Sequence, residues 1–171
     1  QGEQSLGDSL HEQVDRQPMD ESWRELAHAL IDSLDDDGYF RNDPAEFALE
    51  LKGQIQTDGD TVEKVLIEVI QQLEPAGLGA RDLTECLLMQ LDDESELDFW
   101  VRRLLLHFSQ DLFGSDAELA KKADCSEELI AQIRARMRRL DPFPGHGMHG
   151  DNNFYIRPEI IFRRTSGNEI E

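Results

Sequence analysis

Asp35-Asp36-Asp37-Gly38 has the acids and the glycine of a calcium loop. Such a loop needs alternating oxygen ligands and a bidentate Glu at its twelfth position. Aligning Gly38 with the sixth position puts Ser33 first and Pro44 twelfth, so the acids read instead as caps on a helix end and the turn after it. His146 and His149 could share a metal only with ligands from elsewhere, and no Cys-x-x-Cys or second histidine cluster supplies them. They read as loop histidines, with no metal site. Gly77-Leu78-Gly79 begins like a dinucleotide-binding turn, but Asp82 stands where the third glycine belongs and a helix, not a strand, precedes it. Cys86 and Cys125 are far apart in positions that suit a small apolar side chain, and read as buried free thiols. No nucleophile stands at a readable spacing from a base. The pattern predicts no catalytic residue, no cofactor and no enzyme.

The remaining candidates are binding groups. Residues 115–140 look like a helix-turn-helix whose last helix carries Arg134, Arg136, Arg138 and Arg139. One reading sets those arginines on phosphates or guanine edges. The other is a trihelical packing unit whose arginines face solvent or an acidic neighbour. Packing is preferred, because Asp116 to Leu140 contains five acids and Met137 and Leu140 commit the same helix to a core. Arg81 and Asp82 open a helix after the glycine corner: Asp82 suits the helix N-terminal dipole, Arg81 can bond a preceding carbonyl, and both can be contacts for a partner.

Charge narrows the class of partner. Of the net charge of −20, all lies in residues 1–100, with 26 acids against 6 bases, while residues 101–171 carry 11 of each. That distribution disfavours non-specific DNA binding, which depends on Lys and Arg neutralising phosphates. It suits a solvated surface or a basic protein partner. No apolar run reaches the roughly 18 to 20 residues of a membrane helix, and the start lacks the organisation of a signal peptide. A soluble cytoplasmic protein with no membrane contact is expected. The 171 residues, 39% hydrophobic, suffice for one domain or two small ones.

These groups are positioned by helices. Trp23, Leu26, Ala27, Leu30, Ile31 and Leu34 predict a helix over 21–34, ended at Gly38. A short helix follows at Pro44–Leu51. Asp60 and Glu63 then read as a capping box before the stripe Val62, Val65, Leu66, Val69, Ile70 and Leu73. After the corner a further helix is expected from Ala80. A second unit repeats the plan: a helix over 97–113 with Val101, Leu104, Leu105, Phe108 and Leu112 inward, a short helix capped by Ser115 and Glu118, and a third capped by Ser126 with Ile130, Ile133, Met137 and Leu140 inward. Each unit closes on Leu-acid-Pro, Leu73-Glu74-Pro75 and Leu140-Asp141-Pro142, a weak internal duplication. The expected fold is all-α, with two small helical subdomains at 1–93 and 94–145, the second helix-turn-helix-like. An extended tail at 146–171 begins a hairpin, with a strand over Phe154–Arg163 limited to an edge by Pro158.

Three segments carry a resemblance. Residues 73–91 read Leu-Glu-Pro-Ala-Gly-Leu-Gly-Ala-Arg-Asp-Leu-Thr-Glu-Cys-Leu-Leu-Met-Gln-Leu; Asp35 to Tyr39 read Asp-Asp-Asp-Gly-Tyr; and Leu140-Asp141-Pro142-Phe143-Pro144-Gly145 is followed by Tyr155-Ile156-Arg157-Pro158-Glu159. In kind and order these resemble the core-binding region of the bacterial sigma-54 (sigma-N) transcription factors. The departures are conservative: Glu74 for Asp, Leu78 for Val, Asp141 for Asn and Glu159 for Asp. The resemblance runs from about Ser5 to the end, the first ten residues being read as partly unrelated leader. It implies docking on core RNA polymerase, with Pro75, Gly77, Gly79, Arg81, Asp82 and Glu85 at the contact and no cofactor. It also implies that in the full-length factor promoter DNA and an ATP-hydrolysing activator are further partners. A helix-turn-helix DNA-binding module is the alternative. The chain lacks an initial Met, and Thr165-Ser166-Gly167-Asn168 reads as a turn near its end, so a fragment stopping inside a hairpin is expected.

Overall fold

Short side chains that accept backbone N–H groups start most of the helices. A computed structural model describes residues 4–148, and its described residues fold into helices α1 (Leu6–Asp15), α2 (Glu21–Ser33), α3 (Pro44–Glu50), α4 (Gly59–Glu68), α5 (Leu83–Leu88), α6 (Glu96–His107), α7 (Asp116–Ala123) and α8 (Glu127–Arg138). The all-α expectation holds for these residues. Of the expected extended tail, residues 146–148 instead form a turn bonded to the start of α1, with Met148 buried in the first unit's core; residues 149–171, with the expected strand and His149, lie outside the described residues. The chain divides into two compact units: the first runs to Met89 and resumes at Pro142, and the second is Gln90–Asp141. That division lies earlier than the 93/94 boundary read from the acidic joint, and it assigns 142–145 to the first unit.

In the first unit, α1 was missed by the leader reading. Ser5 and Asp8 form a reciprocal capping box at its start, and Leu10 and Val14 are fully buried. Arg24 on α2 donates to the Val14 carbonyl at 2.8 Å, and His11 and His28 meet with Nδ1 atoms 2.6 Å apart. Helix α2 buries Leu26, Ala27, Leu30 and Ile31, and α3 starts at Pro44 under an Asp43 cap. The cap of α4 is Asp58, which accepts from the Thr61 amide at 2.8 Å, not Asp60. Gly59 explains the register: a Cβ there would stand 3.0 Å from the Ala45 Cα, so close packing of α3 against α4 fixes which aspartate lies at the cap. Val62, Val65 and Leu66 are fully buried, but α4 ends at Glu68 and a 3-10 turn at Ile70–Gln72 carries the stripe on to Leu73.

The second unit is a three-helix packing of α6, α7 and α8. Ser95, Ser115 and Ser126 each accept the amide three residues on, capping the three helices in turn. Helix α6 stops at His107, and a 3-10 turn at Ser109–Phe113 follows where a continuous helix to 113 was expected. Asp124, in the left-handed region at φ +61°, turns the chain from α7 into α8. Val101, Leu104, Leu119, Ile130 and Ile133 are fully buried at the centre.

The two units share one bonding pattern. In the first unit the Gln13 carboxamide donates to the Glu74 carbonyl at 2.8 Å and accepts from the Glu74 amide at 2.9 Å. In the second, Gln90 makes the same pair of bonds to Asp141, at 2.7 and 2.8 Å. Each Gln thus closes its unit on the acid of Leu-acid-Pro, mimicking a short strand pair.

Candidate functional site

The glycine corner is held by its backbone bonds together with two glutamines, Gln13 on Glu74 and Gln71, which donates to the Gly79 carbonyl at 3.0 Å. Gly77 and Gly79 have φ of +105° and +82°, a region L side chains rarely adopt, and the Glu74–Pro75 bond is cis. A Cβ on Gly79 would also come within 2.9 Å of the Ile70 Cγ2. Leu78 and Ala80 are fully buried on either side of it. The Gly79 amide donates to the Gly38 carbonyl at 2.8 Å and the Phe40 amide to the Ala80 carbonyl at 2.9 Å, so the Asp-Asp-Asp-Gly-Tyr turn lies along the corner. Gly145 completes the junction. Its amide donates to the Asp37 carbonyl at 2.9 Å, and any Cβ on it would overlap the Gly38 amide nitrogen. The buried Tyr39 hydroxyl donates to the Pro142 carbonyl at 2.8 Å, and burial beside Cys86 pushes the phenol well above its ordinary range. Asp35–Phe40, Gly77–Ala80 and Pro142–Gly145, distant in sequence, are therefore one packed junction. The Asp35 carboxylate is spent on it, accepting from the amides of Asp37 and Tyr39 and from Arg41 Nε, each at 2.9 Å, in keeping with the capping role expected of it.

From this frame α5 projects, starting at Leu83 with Asp82 as its cap, which accepts from the Glu85 amide at 2.8 Å. Glu85 reaches back. It accepts from the Arg81 amide at 2.8 Å, from Arg81 Nε at 3.0 Å and Nη2 at 2.8 Å, and from Gln71 Nε2 at 3.1 Å. Burial opposes its ionisation, but the Arg81 side chain and amide together with Gln71 outweigh burial and hold the carboxyl below its ordinary range. Arg81 Nη1 donates to Glu63 at 2.9 Å, and these carboxylate bonds raise the guanidinium further above its usual range. Glu63, expected in a capping box, is instead the outer clamp on Arg81. At 18 residues' separation no local spacing signals that pair. Of the expected contact residues, Pro75, Arg81 and Asp82 are exposed, Gly77 and Gly79 are buried, and Glu85 lies half-buried beneath Arg81.

The four arginines of the last helix split. Arg134 donates to Asp116 at 2.6 Å and to the carbonyls of Leu112 and Gly114 at 2.7 and 3.0 Å, tying the start of α7 to α8. Arg136 grips Asp98 through Nε at 2.7 Å and Nη2 at 3.0 Å. Asp98 is 1% exposed and also accepts from the Asp92 amide at 2.7 Å. The Arg136 bonds hold its carboxyl below the usual range, against burial. Arg138 and Arg139 are exposed. Two of the four are thus internal struts.

The sequence is matched along residues 1–171 by the family model described as sigma-54 factor, core binding domain. The chain belongs to this family. Relatives named RNA polymerase sigma-54 factor include those of Pseudomonas aeruginosa (strain UCBPP-PA14), 34% identical over 170 residues, covering 95% of this chain and 34% of the relative. The one from Escherichia coli (strain K12) is 32% identical over 173 residues, covering 98% of this chain and 36% of the relative. That of Cereibacter sphaeroides is 32% identical over 168 residues, covering 98% and 38%. The chain spans about a third of the length of the curated relatives it matches. Among the described residues, no helix of this sigma-54 domain is long and apolar enough to cross a membrane.

Proposed function

We propose that this sigma-54 domain docks on core RNA polymerase, as a part of activator-dependent, promoter-specific transcription initiation. The observation that carries the reading is the family match along the whole chain to a domain described by its core binding. The geometry supports docking over the alternative, a helix-turn-helix DNA reader, because Arg134 and Arg136 are turned inward onto Asp116 and Asp98. With two of its four arginines held inside its own unit, this helix keeps Arg138 and Arg139 alone for phosphate, at the last turn. In the first unit Gly77 and Gly79 serve as frame, and Pro75, Arg81 and Asp82 are the exposed groups the frame presents, with Glu85 and Glu63 fixing the Arg81 guanidinium. The domain does its work in the cytoplasm by binding and catalyses no reaction. Promoter DNA and an ATP-hydrolysing activator are partners of the complete factor. Gel filtration of the chain with purified core polymerase at low salt and without DNA tests the reading: co-migration is expected, and its absence refutes it.

A further inference from the structure

We infer that the outer face of α6, built on Phe99, Trp100, Arg103 and Leu106, is where the second unit grips core polymerase, against a segment apolar along its centre and acidic at its edge. The inference rests on the docking reading above. Phe99, Arg103 and Leu106 stand at i, i+4 and i+7 and so share one side of the helix. Phe99 and Leu106 are 57% and 51% exposed, whereas Val101, Leu104 and Leu105 on the opposite side are buried. The core is therefore complete without them. Single exposed apolar residues are ordinary, but these adjoin a cluster: the Phe99 and Trp100 rings meet edge to face at 6.3 Å, and the Arg103 guanidinium lies 5.7 Å from the Trp100 ring and 5.8 Å from that of Phe108. An aromatic and arginine cluster of this kind is what interfaces use as anchors.

Charge identifies the other side. From Phe99 through Gln110 the chain carries no acid, although it has 37 acids against 17 Lys and Arg in all. Arg102 in this stretch is paired with Asp93 at 2.9 Å, but Arg103 has no carboxylate partner among the described residues. Arg138 and Arg139 are also exposed and outside the ion pairs, but Arg103 alone of the three lies against rings, and an exposed guanidinium set in an apolar, acid-free stretch is complementary to an acidic protein surface. Rings beside an arginine also suit stacked bases. The acid excess of the chain argues against that occupant, and the experiment includes it.

The test compares the parent chain, the double variant Phe99→Ala/Leu106→Ala, Arg103→Glu, and Leu49→Ala as an exposed apolar control in the first unit. Because the substituted groups are exposed, melting temperatures are expected to stay near the parent's. Kd for purified core polymerase is expected to rise at least about tenfold for the double variant and for Arg103→Glu, and to be unchanged for Leu49→Ala. Parent-like affinity in both α6 variants overturns the inference while leaving the docking reading intact. Failure of the parent itself to bind overturns that reading and this one together. Tighter binding of a single-stranded oligonucleotide than of core polymerase, lost in the same variants, overturns the assignment of a protein partner.

Discussion

Replacing Arg136 by Met decides whether that arginine is a strut or a nucleic-acid contact. The substitution keeps most of the apolar stem and removes the guanidinium, leaving the carboxylate of Asp98, 1% exposed, with the Asp92 amide as its hydrogen-bond donor. Breaking a buried pair by removing one partner costs about 3 to 5 kcal/mol, whereas replacing both partners with apolar groups is often neutral. Arg136 is itself 19% exposed, so the low end, about 3 kcal/mol, is expected. For a unit of this size that corresponds to a fall in Tm of roughly 12 to 24 °C. The chain has two tryptophans, Trp23 in the first unit and Trp100 on α6, so in a Trp23→Phe background fluorescence reports on the second unit alone. The double variant Asp98→Leu/Arg136→Met should recover most of the loss. The pH profile carries a sign: a carboxyl held below its unfolded value contributes stability fully above about pH 4, lost as pH falls through its folded value. The parent should therefore show an acid-side loss that the double variant lacks. Arg136→Met melting within about 1 kcal/mol of the parent, with an unchanged acid profile, would refute the strut.

Other outcomes follow from the same geometry. Gly79→Val should cost about 1 to 3 kcal/mol for strained backbone at φ +82°, plus a like amount for the clash with Ile70, seen in urea unfolding. Leu87→Ala, at a side chain 1% exposed, should lose about 2 to 5 kcal/mol. Arg81→Ala should cost no more than about 1 kcal/mol, since its partners Glu63 and Glu85 are both partly solvated, yet weaken core-polymerase binding; unchanged binding would make the corner purely structural. At physiological salt a gel-shift assay with a promoter duplex should show no sequence-selective complex, and such a complex would revive the DNA-reading alternative.

What could be read from the chain was whatever is settled within a turn or two of helix. The stripes of α2 and α8 and the caps Ser115 and Ser126 are local three- and four-residue relations, and they stand where expected. Helix α1 had the same signals in Ser5, Asp8, Leu10 and Val14, but ten residues without a following partner look like leader until α2 is known to cover them. The α4 cap failed for a different reason: Asp58 and Asp60 flank Gly59, and packing on Ala45, not local preference, selects between them. Long-range pairs were invisible in principle. Nothing near Arg136 points to Asp98, 38 residues away, or near Arg81 to Glu63. The motif glycines were visible as a pattern, but that Gly38 and Gly145 crowd each other and that Gly79 bonds to Gly38 required the fold.

The pairing of both ends of the first unit has a mechanical consequence. The Leu6 amide donates to the Gly147 carbonyl at 2.7 Å and the Gly7 amide to the Met148 carbonyl at 3.2 Å, while the whole of Gln90–Asp141 is spliced into the chain between them. Tension applied at residues 4 and 148 is thus borne first by those bonds and the packing of α1, and the spliced segment carries none of it until the first unit gives way. In an optical trap the two units should rupture in a fixed order, first unit before second, whatever their separate stabilities.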